Sequence, residues 1–252
     1  MSDLLDDKGY IVAGAFALLF LLEHIRPAAQ SPIPPFRRIV KNLSFWPINI
    51  GLSLTVILPV SYFAAQNPLW SRPEWFSGLP ALLVDVVLLD LFIFWWHRAT
   101  HEIPLLWRFH EVHHLDQHLD STTAIRFHFG EIFFSVFARS GVVILLAVPF
   151  ESVIIFEILL LVFSLFHHSN IALPHRLEAR LSRLIITPKI HWVHHHALQR
   201  DTDSNYGTLF SFWDRIFGTQ SPTARTPTMK IGVAGRQDKG FVALLLAPFL
   251  RR

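Results

Sequence analysis

Cysteine is absent from the 252 residues. That excludes disulfides, thiolate zinc sites, iron–sulfur clusters and cysteine nucleophiles. Charge is scarce: Asp, Glu, Lys and Arg make up 16%, where a soluble domain of this size carries about a quarter. Low charge with 52% hydrophobic residues and 23 Phe excludes disorder, collagen-like repeats and coiled coils. Tyr and Met are few, at 3 and 2, but there are 15 His. The composition therefore points to chemistry carried by imidazole. The net charge of +3, in so apolar a chain, reads as a basic rim beside a membrane and not as a nucleic-acid surface.

Five apolar stretches run Tyr10–Ile25, Leu43–Ala65, Leu79–Trp96, Ile132–Phe150 and Ser152–Phe166. A spanning helix needs ~20 mostly apolar residues, and ~17 at least. The second, third and fourth qualify. The first and fifth are short, and are expected to be tilted, extended by their flanks, or incomplete. Pro149 and Glu151 between the last two predict a tight helical hairpin. Arg139 and Glu157 lie at unequal distances from its tip, a depth mismatch of ~9 Å that leaves their pairing without an account. The Phe241–Leu250 run is too short to span. With Arg251–Arg252 it reads as an interfacial anchor or a helix packed on the body. Asp3, Asp6 and Asp7 argue against a cleaved signal peptide, which begins with positive charge.

Orientation follows the Lys/Arg bias. With the N-terminus outside and five crossings, 19 of the 22 Lys and Arg face the cytosol. Lys8 and Arg72 fall outside, and Arg139 lies within a helix. The same topology puts every His from 97 onward on the cytosolic side, in blocks 97–128 and 167–196. The expected fold class is all-α: an integral, multi-pass membrane protein with about four to five transmembrane helices. A cytosolic helical cap would carry a histidine-rich di-metal site. In a bacterium the inner (plasma) membrane is the expected location.

The histidines fall into His97-Arg98-Ala99-Thr100-His101, His110-Glu111-Val112-His113-His114, His167-His168-Ser169-Asn170 and His191-Trp192-Val193-His194-His195-His196. Residues three and four apart share a helix face. His97 and His101 form an i, i+4 pair. His110, His113, His114 and His191, His194, His195 are i, i+3, i+4 triads, each able to aim at one point. With His168 that makes nine donors. One metal cannot take nine and still do chemistry, whereas two metals can share them, four or five each. Thr187-Pro188 reads as an N-cap followed by Pro at the first helical position, and Ile103-Pro104 as a break.

His167 competes with His168 for one role, because adjacent helical residues point about 100° apart. His128 reads either as a ligand or as a partner of one. For His118, His175 and His196 a structural role stands equal to ligation, and His24 reads as a satisfied core or interface residue. Candidates for holding a ligand in place are Asp90 and Asp85 in the third helix, Glu131 and Asn170. Asp90, seven residues before His97, is placed to accept its second N–H, or else to tie helices together. No catalytic residue beyond the metal ligands is assigned.

Imidazole suits iron, zinc, copper and nickel. Soluble di-iron bundles use Glu and Glu-x-x-His, so an all-nitrogen site is of another kind. Two irons at an apolar boundary could use O₂ to oxidise a lipid C–H bond. Two zincs would suit hydrolysis. A membrane metal transporter or metal-binding protein would also account for the histidines.

The chain resembles the fatty acid hydroxylase / sterol desaturase superfamily of membrane di-iron enzymes. The resemblance rests on Asp90–His101, Leu106–His114, Arg126-Phe127-His128, His168-Ser169-Asn170, Thr187–His195, Asn205-Tyr206-Gly207 and Phe212–Thr219, together about residues 85–220. It implies two irons, O₂ as cosubstrate, and a sterol, fatty acyl or ether lipid substrate that is hydroxylated, desaturated or otherwise oxidised. It implies His97, His101, His110, His113, His114, His191, His194 and His195 as ligands, with His168 beside them. Electrons would come from a ferredoxin or cytochrome b5-like donor, expected in trans because no such segment precedes the helices. The expected organisation is N-terminal membrane helices and loops over residues 1–78, the hydroxylase-like catalytic domain over 79–220, and a tail over 221–252. The Asn205–Thr219 stretch lacks ligand spacing and reads as a lid over the site.

Overall fold

The computed structural model describes residues 2–250, and among them the protein is all-helical, with no strand. Five helices are long and apolar enough to cross a membrane. α1 (Ser2–Ile25) is the first. Pro35 to Gln66 forms a second rod in four pieces: α2 (Pro35–Leu43), α3 (Trp46–Leu52), a π-helical turn (Ser53–Ile57) and α4 (Leu58–Gln66). Pro59 has no N–H to offer the Thr55 carbonyl, and the π turn takes up that fault.

α5 (Gly78–Glu102) has 25 residues. That is ~38 Å, against a hydrocarbon core of ~30 Å, so its last turns carry His97 and His101 to the boundary. The helix stops at Ile103, held extended (φ −94°, ψ 114°) by the following Pro104, which starts α6 (Pro104–His114). α7 (Phe129–Leu146) and α8 (Phe150–His168) are joined by three residues, with Ala147 left-handed (φ 52°) at the end of α7. The hairpin predicted by Pro149 is therefore present. The flanks extend the two short stretches, giving 19-residue apolar helices over Asp7–Ile25 and Phe150–His168.

Leu89 and Ile93 of α5, Val143 of α7, and Val153 and Phe156 of α8 form one buried cluster. α1 runs beside α8 in the same direction: Lys8 meets Glu157 near one end, and Ala28 meets Asn170 at the other. Arg139 and Glu157 do pair, Nη2 donating to Oε1 at 2.5 Å. The long Arg139 side chain absorbs the depth mismatch between their backbones.

Short helices build the histidine-bearing end: α9 (His175–Leu181), α10 (Pro188–His194), α11 (Gln199–Thr202) and α12 (Phe212–Ile216). α13 (Phe241–Leu250) packs Leu244 against Phe45, Val112 and Leu115, so it lies on the body of the protein. Arg251 and Arg252 lie outside the described residues.

A buried polar floor fixes the segment after α6. Asp116 accepts from Arg38 (2.9 Å), Asn42 (2.7 Å) and Thr123 (2.8 Å). Arg38 also pairs with Asp120, and Arg126 donates to Asp238 at 2.6 Å. Burial pushes the Asp116 carboxyl up, but Arg38 and Arg126 outweigh it and hold the group below the ordinary carboxylate range. Fixing this segment fixes the end of α6, where His113 and His114 sit.

Candidate metal centre

Four helix ends converge here: the last turns of α5, α6, α8 and α10. They bring nine imidazoles together in two nests. One holds His97, His101, His110, His114 and His194. The other holds His113, His168, His191 and His195. Within each nest the donor atoms lie within 4.8 Å of one another. The nests touch: the His114 and His195 rings stack at 4.2 Å.

The triads do not each aim at one point, as their spacing suggested. Each i, i+4 pair stays together and the i+3 histidine crosses over. His110 and His114 share a nest, while His113 joins the other. His191 and His195 share a nest, while His194 joins the other. The reason is the helix itself: residues four apart differ by ~40° around the axis, but 113 and 114 differ by ~100°.

Four rings are anchored through Nδ1. His97 bonds the Tyr206 carbonyl (2.8 Å), His194 the Ser204 carbonyl (2.7 Å), His168 the Ser164 carbonyl (2.7 Å) and His110 the Glu131 carboxylate (2.8 Å). Such an acceptor puts the proton on Nδ1 and turns the Nε2 lone pair inward. Nε2 atoms stand 2.9 Å apart in His168–His113 and His191–His168, 3.2 Å in His195–His191 and 3.1 Å in His114–His110. Two nitrogens each ~2.0–2.1 Å from one ion at right angles would be ~3 Å apart. His194 Nε2 and His101 Nε2 are buried with no hydrogen-bond partner, and His101 Nδ1 stands 3.5 Å from the Asp203 carboxylate without a hydrogen bond, although buried polar atoms are normally satisfied. Burial first, and neighbouring imidazoles second, push His113, His114, His191, His194 and His195 well below the ordinary imidazole range. They are neutral, the form a metal takes. The donor set fits a pair of metal ions.

A cavity of about 330 Å³ opens beneath the nests. His97, His110, His113, His168 and His191 form its head. Ile50, Ile57, Ile93, Val136 and Leu160 are among its walls, and Lys8, Arg139 and Glu157 close its foot.

The fatty acid hydroxylase family profile matches residues 82–219, more than half of the chain and every histidine from 97 to 196. The chain belongs to the fatty acid hydroxylase family. Among its relatives, the ornithine lipid hydroxylase OlsE of Rhizobium tropici is 29% identical over 210 residues, 81% of this chain and 62% of that protein. The alkylglycerol monooxygenase of Danio rerio is 31% identical over 134 residues, 53% of this chain and 29% of that protein. A very-long-chain aldehyde decarbonylase of Oryza sativa subsp. indica is 24% identical over 233 residues, 90% and 86% of the two chains. The matches thus span less than two thirds of the hydroxylase and of the monooxygenase. No solved structure matches significantly.

In this family member the other candidate residues are placed as follows. Glu131 holds His110. Asp90 reaches no histidine: its carboxylate accepts from Leu209 N (3.0 Å), Phe210 N (3.1 Å) and Trp213 Nε1 (2.9 Å). Asp85 is tied to Arg72 by two bonds, at 2.5 and 3.0 Å, since it lies about 1.4 turns of α5 further from the histidines than Asp90. Asn170 joins the segment after α1, accepting from Ala29 N (3.0 Å) and donating to Ala29 O (2.9 Å). His128 stands outside both nests. Its Nδ1 caps α7 through Gly130 N (2.9 Å) and its Nε2 bonds Leu245 O (3.0 Å). His167 faces the cavity beside His191, ring centroids 4.0 Å apart, and belongs to neither nest. His118, His196 and the exposed His24 and His175 are also outside the nests. His118 stands by Asn170 and His196 binds Asp201 (2.7 Å).

Thr187 occupies the N-cap position but bonds Ser182, and the α10 amide of Lys189 is capped by Glu178 instead (3.0 Å). The Asn205–Thr219 segment, the lid expected from the sequence, packs Tyr206 against His97, His101 and His194 of one nest. Asp214 folds it by accepting from Tyr206 N (2.7 Å) and Gly207 N (3.0 Å). A Cβ on Gly207 would lie 2.7 Å from the Phe210 carbonyl, so only glycine fits. Three anchors of the rings, the carbonyls of Ser164, Ser204 and Tyr206, carry no side-chain signal in the sequence.

Proposed function

We propose that the protein is a membrane-bound di-iron oxygenase that uses O₂ and externally supplied electrons to oxidise a C–H bond of a lipid. The observation that carries this reading is the pair of all-imidazole nests at the head of an apolar cavity set among membrane-length helices. His97, His101, His110, His114 and His194 would hold one ion, and His113, His168, His191 and His195 the other. Bound iron supplies O₂ activation and the oxidising power for the C–H bond. The chain's own residues do the rest. The cavity walls bind an alkyl segment and exclude water. Glu131, Ser164, Ser204 and Tyr206 keep four Nε2 lone pairs aimed inward. The lid closes the polar side.

The relatives named for ornithine lipid and alkylglycerol support a lipid substrate. The Lys/Arg bias supports a cytosolic active site in a plasma membrane, where a ferredoxin or cytochrome b5-like donor has access. A metal-transport reading is disfavoured by the cavity foot, where Lys8 and Arg139 would repel a passing cation.

Metal analysis of the detergent-purified protein after iron-replete expression is expected to give about two irons per chain. Zinc in their place, with turnover independent of O₂, would overturn the reading in favour of a hydrolase. Glu131→Gln is expected to retain metal at saturating iron and to lose about 10–100-fold in turnover. Undiminished turnover would remove Glu131 from the site.

A further inference from the structure

The foot of the cavity is built of three charges. Glu157 Oε1 accepts from Arg139 Nη2 at 2.5 Å, and Oε2 from Lys8 Nζ at 2.6 Å. Arg139 and Glu157 are buried, with side chains 7% exposed, and Lys8 is 19% exposed. Among the described residues Glu157 is the one carboxylate in ion-pair contact with either cation. Among the described residues two cations share one anion, which leaves this cluster one positive charge in excess at membrane depth, where an uncompensated charge is costly. Fold stability alone does not call for that excess. One pair would balance, and Lys8, near the start of α1, could reach water if Glu157 did not hold it. All three residues line the same cavity as the histidines.

Glu157 and His168 are eleven residues apart on α8, or ~16 Å. The cavity therefore has a cationic foot, an apolar shaft, and a metal-binding head about half the hydrocarbon thickness away. Its volume of about 330 Å³ leaves room for an alkyl segment between foot and head.

We infer that Lys8 and Arg139 bind the anionic end of an alkyl amphiphile, carboxylate or phosphate, and so fix which methylene lies under the histidines. This inference rests on the oxygenase reading for its meaning, but its binding step needs neither metal nor O₂. The bound anion completes a two-cation, two-anion cluster and cancels the excess charge.

The test uses the full-length protein in detergent at about pH 8, where carboxylate and phosphate are charged. Quenching of Trp fluorescence by chain-brominated hexadecanoate, hexadecyl phosphate and hexadecanol is measured; Trp46 and Trp96 line the cavity. Wild type is expected to bind at least one of the two anions about tenfold more tightly than the alcohol. Which anion wins identifies the headgroup. Lys8→Met leaves a neutral pair and is expected to bring that preference to near parity. Glu157→Gln raises the excess to two charges and is expected to widen it. A merely structural cluster would move both variants in the same direction. Equal binding of anion and alcohol by wild type overturns the inference, and so does a preference that Lys8→Met leaves intact or Glu157→Gln reduces. Protein that keeps the anion preference but binds no iron refutes the oxygenase reading alone. Iron-loaded, active protein without the preference refutes this inference alone.

Discussion

His113→Ala is expected to lose one metal outright, where His194→Ala loses one only at limiting iron, and both are expected to abolish turnover. The difference follows from the count of donors. His113 belongs to a nest of four, so its loss leaves three. His194 belongs to a nest of five, so its loss leaves four. If an ion held by four donors is bound with ~10–16 kcal/mol, each donor carries ~3–4 kcal/mol, or ~10²–10³ in affinity. Three donors then fall short where four suffice. The metal-free protein should respond differently. His194 Nε2 and His113 Nδ1 are buried without hydrogen-bond partners, and such atoms cost ~1–3 kcal/mol each. Removing the ring relieves that cost and offsets part of the cavity left behind. Metal-loaded protein should therefore lose far more in its thermal midpoint than metal-free protein does. Equal losses in the two states would mean that these histidines serve packing. Undiminished turnover in either variant would remove that residue from the site.

The partition into nests shows what the sequence could and could not tell. That nine histidines belong to one place was legible, because i, i+3 and i+4 spacings and the break at Pro104 fix their faces and directions. Which histidine goes with which was not. Helix geometry keeps each i, i+4 pair together, but the crossing of the two helices decides that His113 joins the pair on α10 and His194 the pair on α6. The membrane helices were legible from apolar length, with the flanks of α1 and α8 supplying the residues that seemed missing. Asp90 was ambiguous for a physical reason. Seven residues before His97 puts it on the correct face, but two turns deeper, where its nearest donors are the lid's amides. His128 looked like a ligand because it sits among the motifs, yet it begins α7 and spends Nδ1 on that helix's free amide. The carbonyls of Ser204 and Tyr206 were invisible, since any residue type supplies a carbonyl. The Lys8 contact was hidden by 149 residues of separation and by the expectation that a lysine near the N-terminus faces water.

The second large effect is expected from Asp90→Asn, and it separates positioning from ligation. Asp90 is fully buried and receives three N–H donors from the lid. Each such bond to a carboxylate is worth ~1.5–3 kcal/mol. Asparagine keeps one acceptor and turns its own NH₂ toward an N–H, so ~3 kcal/mol of lid docking is lost. That loss converts to about a hundredfold rise in lid opening. The lid also supplies the Tyr206 carbonyl to His97, and Ser204, adjoining it, anchors His194. Amides at 206–210 are therefore expected to exchange hydrogen about a hundredfold faster, with turnover falling in step. Helix content and membrane insertion should be unaltered. Metal content should hold at high iron, because both rings keep their places on α5 and α10 and lose only an anchor. Turnover lost without faster exchange would show that Asp90 acts on the centre directly. Faster exchange with full turnover would show that the lid does not govern the ring positions. Asp214→Asn supplies the comparison. It loosens the same segment from within, through Tyr206 N and Gly207 N, without touching α5. If both variants raise exchange and lower turnover together, the path from Asp90 to His97 runs through the lid backbone.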